Sequence, residues 1–266
     1  MKIGFIGAGN MATAIIGGLL GAGTAAEDIH VFDMDTQKLE AFISKGIVCE
    51  KNSCDVTKNC DIIVLAVKPQ NYSEVLSEIA PFADINKTFV SIAAGITIDF
   101  VRRGLSLECP VVRVMPNTPL LVGKGATAIC FSENVSDVCK EVTSSMFSCS
   151  GALEEFTEDK MDAIISVNGS SPAYFYLFAK AMADYAESVG IDRERAMNLI
   201  CAAMEGSAEM LRSSGDDPDT LIKKVSSKGG TTIEALNKFY QHGLEDAVKD
   251  AMAACTKRAG ELAAEA

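Results

Sequence analysis

The stretch Lys2-Ile3-Gly4-Phe5-Ile6-Gly7-Ala8-Gly9-Asn10-Met11-Ala12 decides the fold. Lys2 to Ile6 reads as a short strand, Gly7 to Ala12 fits G-x-G-x-x-G/A, and Met11 to Leu20 reads as a helix. Strand, tight turn and helix in that order open a βαβ unit that binds a dinucleotide. Gly7 permits the turn. Gly9 lets a pyrophosphate approach the backbone, and Ala12 is small enough for the helix to lie close on the strand. The helix start then offers free N–H groups and a partial positive charge to phosphate. Gly7, Ala8, Gly9, Asn10 and Met11 are the expected contacts on the phosphate side.

A glycine fingerprint alone is weak, because any tight strand-to-helix turn favours glycine. A second strand, Ile29-His30-Val31-Phe32-Asp33, strengthens it by ending in an acid about 20 residues on. A carboxylate there can accept both ribose hydroxyls of an adenosine half. Asp33 could instead cap the helix starting near Thr36, but Asp35 is better placed for that. Asp33 would repel a 2′-phosphate, and Lys38 is the one nearby positive charge. NADH is therefore the expected cofactor in preference to NADPH.

The 266 residues suffice for one large or two ordinary domains. A net charge of −12 argues against a nucleic-acid partner, which needs clustered Lys and Arg. Nine cysteines without a C-x-x-C pair, and only two histidines, argue against a metal site. Scattered through strands and helices, these cysteines read as reduced thiols of a cytoplasmic protein. The sequence opens with no signal-peptide pattern, since its first apolar run is broken by Gly and Asn10. No apolar run reaches the roughly 18 residues of a membrane span.

Further along, Asp61 to Val67 is a continuous apolar strand of the kind buried in a parallel sheet. Lys68-Pro69-Gln70-Asn71 follows it, at the strand end where ligands of open α/β sheets sit. Strands at 88–92, 111–115, 126–131 and 152–156 alternate with helical stretches, which predicts a doubly wound parallel α/β domain over residues 1–157. From residue 158 to 266 no strand pattern appears, and the region reads as all-α. There Ser171 and Pro172 suit the N-cap and first position of a helix reaching Val189. That helix is apolar nearly all round, so it is expected to be buried and to share its core with a second subunit.

The second informative stretch is Lys223-Lys224-Val225-Ser226-Ser227-Lys228-Gly229-Gly230-Thr231-Thr232-Ile233-Glu234. Thr231 to Glu234 fits a capping box with Thr231 as N-cap. Gly229-Gly230 leaves backbone N–H groups open just before the helix, which makes a pocket for a small carboxylate. In isolation the glycines could simply be a flexible loop. Two adjacent hydroxyls tip the balance: if Thr231 caps, Thr232 remains free for a ligand.

These residues are similar to those of the pyrroline-5-carboxylate reductase family over essentially the full length. The resemblance rests on Gly4 to Met11, Ala66-Val67-Lys68-Pro69, Ala93-Ala94-Gly95, Asn117-Thr118-Pro119, Ser170 to Tyr174, and above all Pro218 to Leu236. It implies a Rossmann-like domain followed by an all-α dimerisation domain, in many members assembled as five dimers in a decamer. It implies hydride transfer from NAD(P)H to 1-pyrroline-5-carboxylate, giving L-proline. On that resemblance Ala66, Val67, Lys68, Pro69, Ala94 and Asn117 surround the ribose and nicotinamide of the cofactor. Gly229, Gly230 and Thr231 hold the substrate carboxylate, Thr232 bonds the ring nitrogen, and Glu158 lines the pocket. The chain departs from many members at Lys224, where they have Asn, and at Lys228, where they have Pro. Asp33 replaces the Ser/Arg-type turn of NADPH-reading members.

Two other readings have their own signatures. A β-hydroxyacid dehydrogenase needs a Lys one turn into the helix after a glycine motif. Here the first Lys after Asn168-Gly169-Ser170-Ser171-Pro172 is Lys180, more than two turns in. A non-catalytic nucleotide sensor should have lost the Gly-Gly-Thr-Thr pocket, which is intact. A six-membered ring imine stays open as a substrate, because one methylene is worth only ~1–3 kcal/mol.

Overall fold

Strand β1 (Ile3–Ile6) is buried at every position because it lies inside a sheet covered on both faces. The computed structural model describes residues 1–265. After β1 come α1 (Asn10–Gly21), β2 (Ile29–Phe32), α2 (Glu40–Ile43), β3 (Val48–Cys49), α3 (Ser53–Asn59), β4 (Ile62–Leu65), α4 (Tyr72–Ile79), β5 (Thr88–Ser91) and α5 (Ile98–Leu105). The sheet continues with β6 (Val111–Met115), β7 (Gly125–Phe131), α6 (Asp137–Ser148) and β8 (Gly151–Glu155). Its strand order is β3-β2-β1-β4-β5-β6-β7-β8, with β1 and β4 side by side where the winding reverses. This is the doubly wound plan expected from the sequence.

Alternate residues of the strands feed two cores. Ile3, Phe5, Val64 and Val112 join Ile15, Ile16, Met146 and Phe147, from α1 and α6, on one face. Ile6, Ile63, Leu65 and Phe89 join Val56, Leu76 and Val101, from α3, α4 and α5, on the other. Gly4 is needed for that second layer, since a Cβ there would lie 2.5 Å from Val56.

The sheet departs from the parallel expectation at one place: β7 runs antiparallel to β6. Only a short 3-10 turn (Thr118–Val122) joins them. A parallel return needs a crossover of a dozen residues or more, so the strand comes straight back. Helix α3 was not expected; Asn52 caps it, accepting from the Asp55 N–H at 2.8 Å.

After β8 come α7 (Met161–Ile164), a π turn (Ile165–Gly169), α8 (Ser171–Ser188), α9 (Arg193–Ser213), α10 (Pro218–Val225), α11 (Thr231–Gln241) and α12 (Leu244–Glu265). Contacts divide the chain into one compact unit of residues 1–172 and 254–266 and a second of 173–253. Ser171 is not the N-cap of α8. The π turn runs almost directly into the helix, and the Ser171 hydroxyl donates back to the Asn168 carbonyl at 3.4 Å.

Taken by itself, the second unit has a thin core. Ala179, Ala183 and Ile200 pack with Met197 and Met204. Phe175, Tyr176 and Leu177 of α8 are 55%, 63% and 69% exposed, so within one chain this helix is not buried all round as expected. Ala179 and Ala183 of this helix face the chain's own core, and Phe175, Tyr176, Leu177 and Tyr185 do not. A row of large apolar side chains left in water marks an interaction surface.

Candidate active site

The glycine turn closes on the neighbouring strand end. Gly7 has φ +105, and a Cβ there would lie 2.5 Å from the Ala66 carbonyl oxygen. The Gly7 N–H donates to the Phe32 carbonyl at 2.7 Å, and the Ala66 N–H to the Ile6 carbonyl at 2.8 Å. Gly9 differs: a Cβ there would meet nothing within 4 Å. Gly9 is also the N-cap of α1, with no side chain on the N–H groups of the first turn and no acid within that turn. Ala12 is fully buried against the strand. A crowded first glycine, an open second one and a bare helix start fit a pyrophosphate.

Asp33 follows the end of β2 and reaches into this turn. Its Oδ2 accepts from the Ala8 N–H at 2.8 Å and its Oδ1 from the Asp35 N–H at 2.9 Å. Lys38 Nζ stands 3.1 Å from Oδ1 and 3.3 Å from Oδ2. Burial opposes ionisation, yet the Ala8 and Asp35 N–H groups and Lys38 hold the carboxyl below its usual value. Asp35 caps the following 3-10 turn through the Gln37 N–H at 3.2 Å, as expected. Asp33 therefore fastens the glycine turn as well as standing where a ribose carboxylate is expected.

The other candidate cofactor residues lie along the same ends of the strands. Ala66, Val67, Lys68 and Pro69 follow β4, and Lys68 is the N-cap of the 3-10 turn that Pro69 begins. Tyr72 locks this corner from beneath. Its buried hydroxyl donates to the Leu65 carbonyl at 2.7 Å and lies 3.1 Å from Ser91 Oγ. Ala94 precedes Gly95, whose φ is +77, in the turn after β5. Asn117 follows β6 and is 7% exposed. Its Oδ1 accepts from the Ala126 N–H at 2.9 Å, and its Nδ2 donates to the Asn168 carbonyl at 3.0 Å.

Glu158 is held at the start of α5, where Oε1 accepts from the Ile98 N–H at 2.7 Å. Arg113 of β6, 4% exposed, lies 3.7 Å from the same oxygen and donates to Asp162 at 2.5 Å. A buried guanidinium needs such partners, and losing one would leave a charge uncompensated. The reading of the sequence missed Arg113. Its only signal was a lone charge within Val111-Val112-Arg113-Val114-Met115.

In the second unit, Gly229 has φ +73 and Gly230 is the N-cap of α11, with no side-chain hydrogen bond at the cap. The Gly230 N–H donates to the Ser227 carbonyl at 2.9 Å. The expected capping box is therefore not formed. The helix starts one residue earlier than predicted because Gly230 already has the extended cap conformation. Thr231 and Thr232 become its first two residues, and neither hydroxyl is spent on a cap. The departure Lys224 pairs with Asp216.

The two histidines take structural places. His30 is buried in β2 with Nδ1 2.7 Å from Glu50, and His242 is the C-cap residue of α11. The cysteines are free thiols. Burial pushes those of Cys60, Cys109 and Cys130 up to about 12, 11 and 11. Among the described residues, no helix is long and apolar enough to cross a membrane.

Comparison with known proteins extends this picture to the whole chain. A family model described as pyrroline-5-carboxylate reductase dimerisation matches residues 158–262. One described as NADP oxidoreductase, coenzyme F420-dependent, matches residues 2–95. The pyrroline-5-carboxylate reductase of Escherichia coli (strain K12) is 38% identical over 263 residues, which is 98% of this chain and 98% of that one. A pyrroline-5-carboxylate reductase structure from Coxiella burnetii superposes with a TM-score of 0.91 at 32% identity, covering 98% of each chain. A Plasmodium falciparum pyrroline carboxylate reductase structure with NADP bound gives 0.90 at 29% identity, covering 99% of this chain and 98% of that one.

Proposed function

The chain belongs to the pyrroline-5-carboxylate reductase family, and from that premise we propose which residues serve which part of the reaction. It is an NAD(P)-dependent oxidoreductase that reduces 1-pyrroline-5-carboxylate to L-proline in proline biosynthesis. The observation that carries the cofactor site is the turn in which Gly7 admits no Cβ while Gly9 faces open space. In this reading Gly7, Ala8, Gly9, Asn10 and Met11 hold the pyrophosphate, and Asp33 takes the adenosine ribose. Ala66, Val67, Lys68, Pro69, Ala94 and Asn117 flank the second ribose and the nicotinamide. When bound, the reduced nicotinamide supplies a hydride to the imine carbon of the ring, the carbon that becomes C5 of proline.

Gly229, Gly230 and Thr231 bind the substrate carboxylate with the N–H groups at the start of α11. The Thr232 hydroxyl orients the ring nitrogen and relays its proton, and Glu158 lines the pocket. The uncapped start of α11 supports these roles, because its N–H groups and both hydroxyls are not spent on a cap. The iminium form of the substrate is already electrophilic, so positioning rather than a strong acid supplies most of the rate. Functionally, residues 1–157 serve the cofactor and 158–266 serve substrate and dimer. The protein is a homo-oligomer. Its unit in this reading is the dimer, five of which form a decamer in the cytoplasm.

NADH is the preferred reductant in this reading, because the ionised Asp33 repels a 2′-phosphate. The test is the loss of absorbance of the reduced nicotinamide with pyrroline-5-carboxylate, run with NADH and NADPH in parallel. Asp33→Ser is expected to move the kcat/KM ratio toward NADPH by about tenfold or more, the equivalent of one lost charge repulsion of ~1.4 kcal/mol. An unchanged ratio would remove Asp33 from the ribose site.

A further inference from the structure

The π turn Ile165–Gly169 ends by placing one side chain, Asn168, inside the protein at 8% exposure. Such wide turns are rare, and they recur at functional sites. Asn168 Nδ2 donates to the Met115 carbonyl at 2.6 Å and to the Ala126 carbonyl at 3.0 Å. These are the last residue of β6 and the second of β7. The Asn168 backbone carbonyl accepts from Asn117 Nδ2 at 3.0 Å, and Asn117 Oδ1 accepts from the Ala126 N–H at 2.9 Å. The two carboxamides thus close a ring of hydrogen bonds around the start and end of the β6–β7 connection. Gly169 lets the turn press close, since a Cβ there would lie 2.6 Å from Met115 Cε.

The ring also has a cost. Asn168 Oδ1 is buried with no protein donor. The Asn117 carboxamide is itself turned into the ring, so what it can offer a ligand depends on where the ring holds it.

We propose that Asn168 is a positioning residue for the nicotinamide end of the site, acting by fixing Asn117 and the chain beside it. This rests on the reading of Asn117 as a cofactor residue. Held this way, the connection needs no reordering when the dinucleotide binds, and binding is tighter for that.

The test uses the full-length oligomer and compares Asn117→Ala, Asn168→Ala and the double variant. Steady-state kinetics are run with NADH and pyrroline-5-carboxylate varied separately. Asn168→Ala is expected to raise KM for NADH about tenfold and leave KM for the imine within about twofold. The double variant should be no worse than the poorer single one, because both changes open the same ring. Asn168→Asp keeps the shape but sets a carboxylate oxygen against the Met115 and Ala126 carbonyls, and should be at least as impaired as Asn168→Ala. If Asn168→Ala does not fold, Asn168→Ser is measured in its place. Lower thermal stability with both KM values unchanged would overturn the proposal and leave a structural brace. Effects that multiply in the double variant would also overturn it, since the residues would then act separately. A silent Asn117→Ala beside an impaired Asn168→Ala would remove Asn117 from the cofactor site, and with it the route proposed here.

Discussion

The chain has two glycine-rich helix starts, and they are built in opposite ways. At the first, Gly7 is jammed against the Ala66 carbonyl, Asp33 ties the turn through the Ala8 N–H, and α1 buries Ala12, Ile15 and Ile16 behind it. At the second, a Cβ on Gly229 would meet nothing, Gly230 is crowded only by Ser227 of its own loop, and α11 contributes no buried residue. The first site is completed by its own sheet. The second is a loop and a helix start in a unit whose large apolar side chains are exposed. In our reading, cofactor recognition is a property of the folded chain and substrate recognition a property of the dimer.

Gly7→Ala should separate the two sites most sharply. Its positive φ costs about 1–3 kcal/mol for a residue with a Cβ, and the 2.5 Å contact with backbone must also be relieved. The expected result is a lower unfolding temperature and loss of NADH binding, read by fluorescence. Gly230→Ala meets chiefly the Ser227 hydroxyl, which can swing away, with the Ser227 carbonyl oxygen next at 3.1 Å, at an ordinary φ of −81. It should leave stability within about 1 kcal/mol and NADH binding unchanged, while KM for the imine rises. If the two variants behaved alike, the contrast between the sites would be broken.

Thr232→Val should lower kcat by about tenfold, the loss of one hydrogen bond of ~1.4 kcal/mol at the reacting ring. Thr232→Ser should recover most of it, and neither should alter the unfolding temperature by more than a degree or two. Full activity in Thr232→Val would take the proton relay away from this residue.

The smallest effect is electrostatic. The Asp33 carboxyl is held below its ordinary value in the folded protein, so its stabilising contribution is present above the unfolded pKa of about 3.9 and fades as pH falls through the folded value. Asp33→Asn should therefore be less stable than the parent at pH 7, and the gap should close in strong acid. A gap independent of pH would mean that the Ala8 and Lys38 contacts contribute nothing through charge.

Much of this was legible in the sequence, and the gaps share a cause. The strand–turn–helix start, the acid at Asp33 and the cap at Asp35 depend on neighbours in the chain, and each stands where it was expected. The reversal of β7 was also written in the short span between Met115 and Gly125, although alternation alone does not reveal it. Helix α3 offers too little apolar periodicity over Ser53–Asn59 to be read. Arg113, Asp162, Asn117 and Asn168 find one another across dozens of residues. Nothing local distinguishes a charge in an apolar strand from a charge with a buried partner. The start of α11 was misread by one residue because two threonines and a glycine can each begin a helix, and the glycine's extended backbone decided it.

The most direct measurement is the initial rate of NADH oxidation by the purified protein with pyrroline-5-carboxylate, with L-proline identified as the product. Our account predicts turnover with both reduced dinucleotides, faster with NADH. A folded oligomer that binds NADH and yields no proline with either cofactor would contradict it.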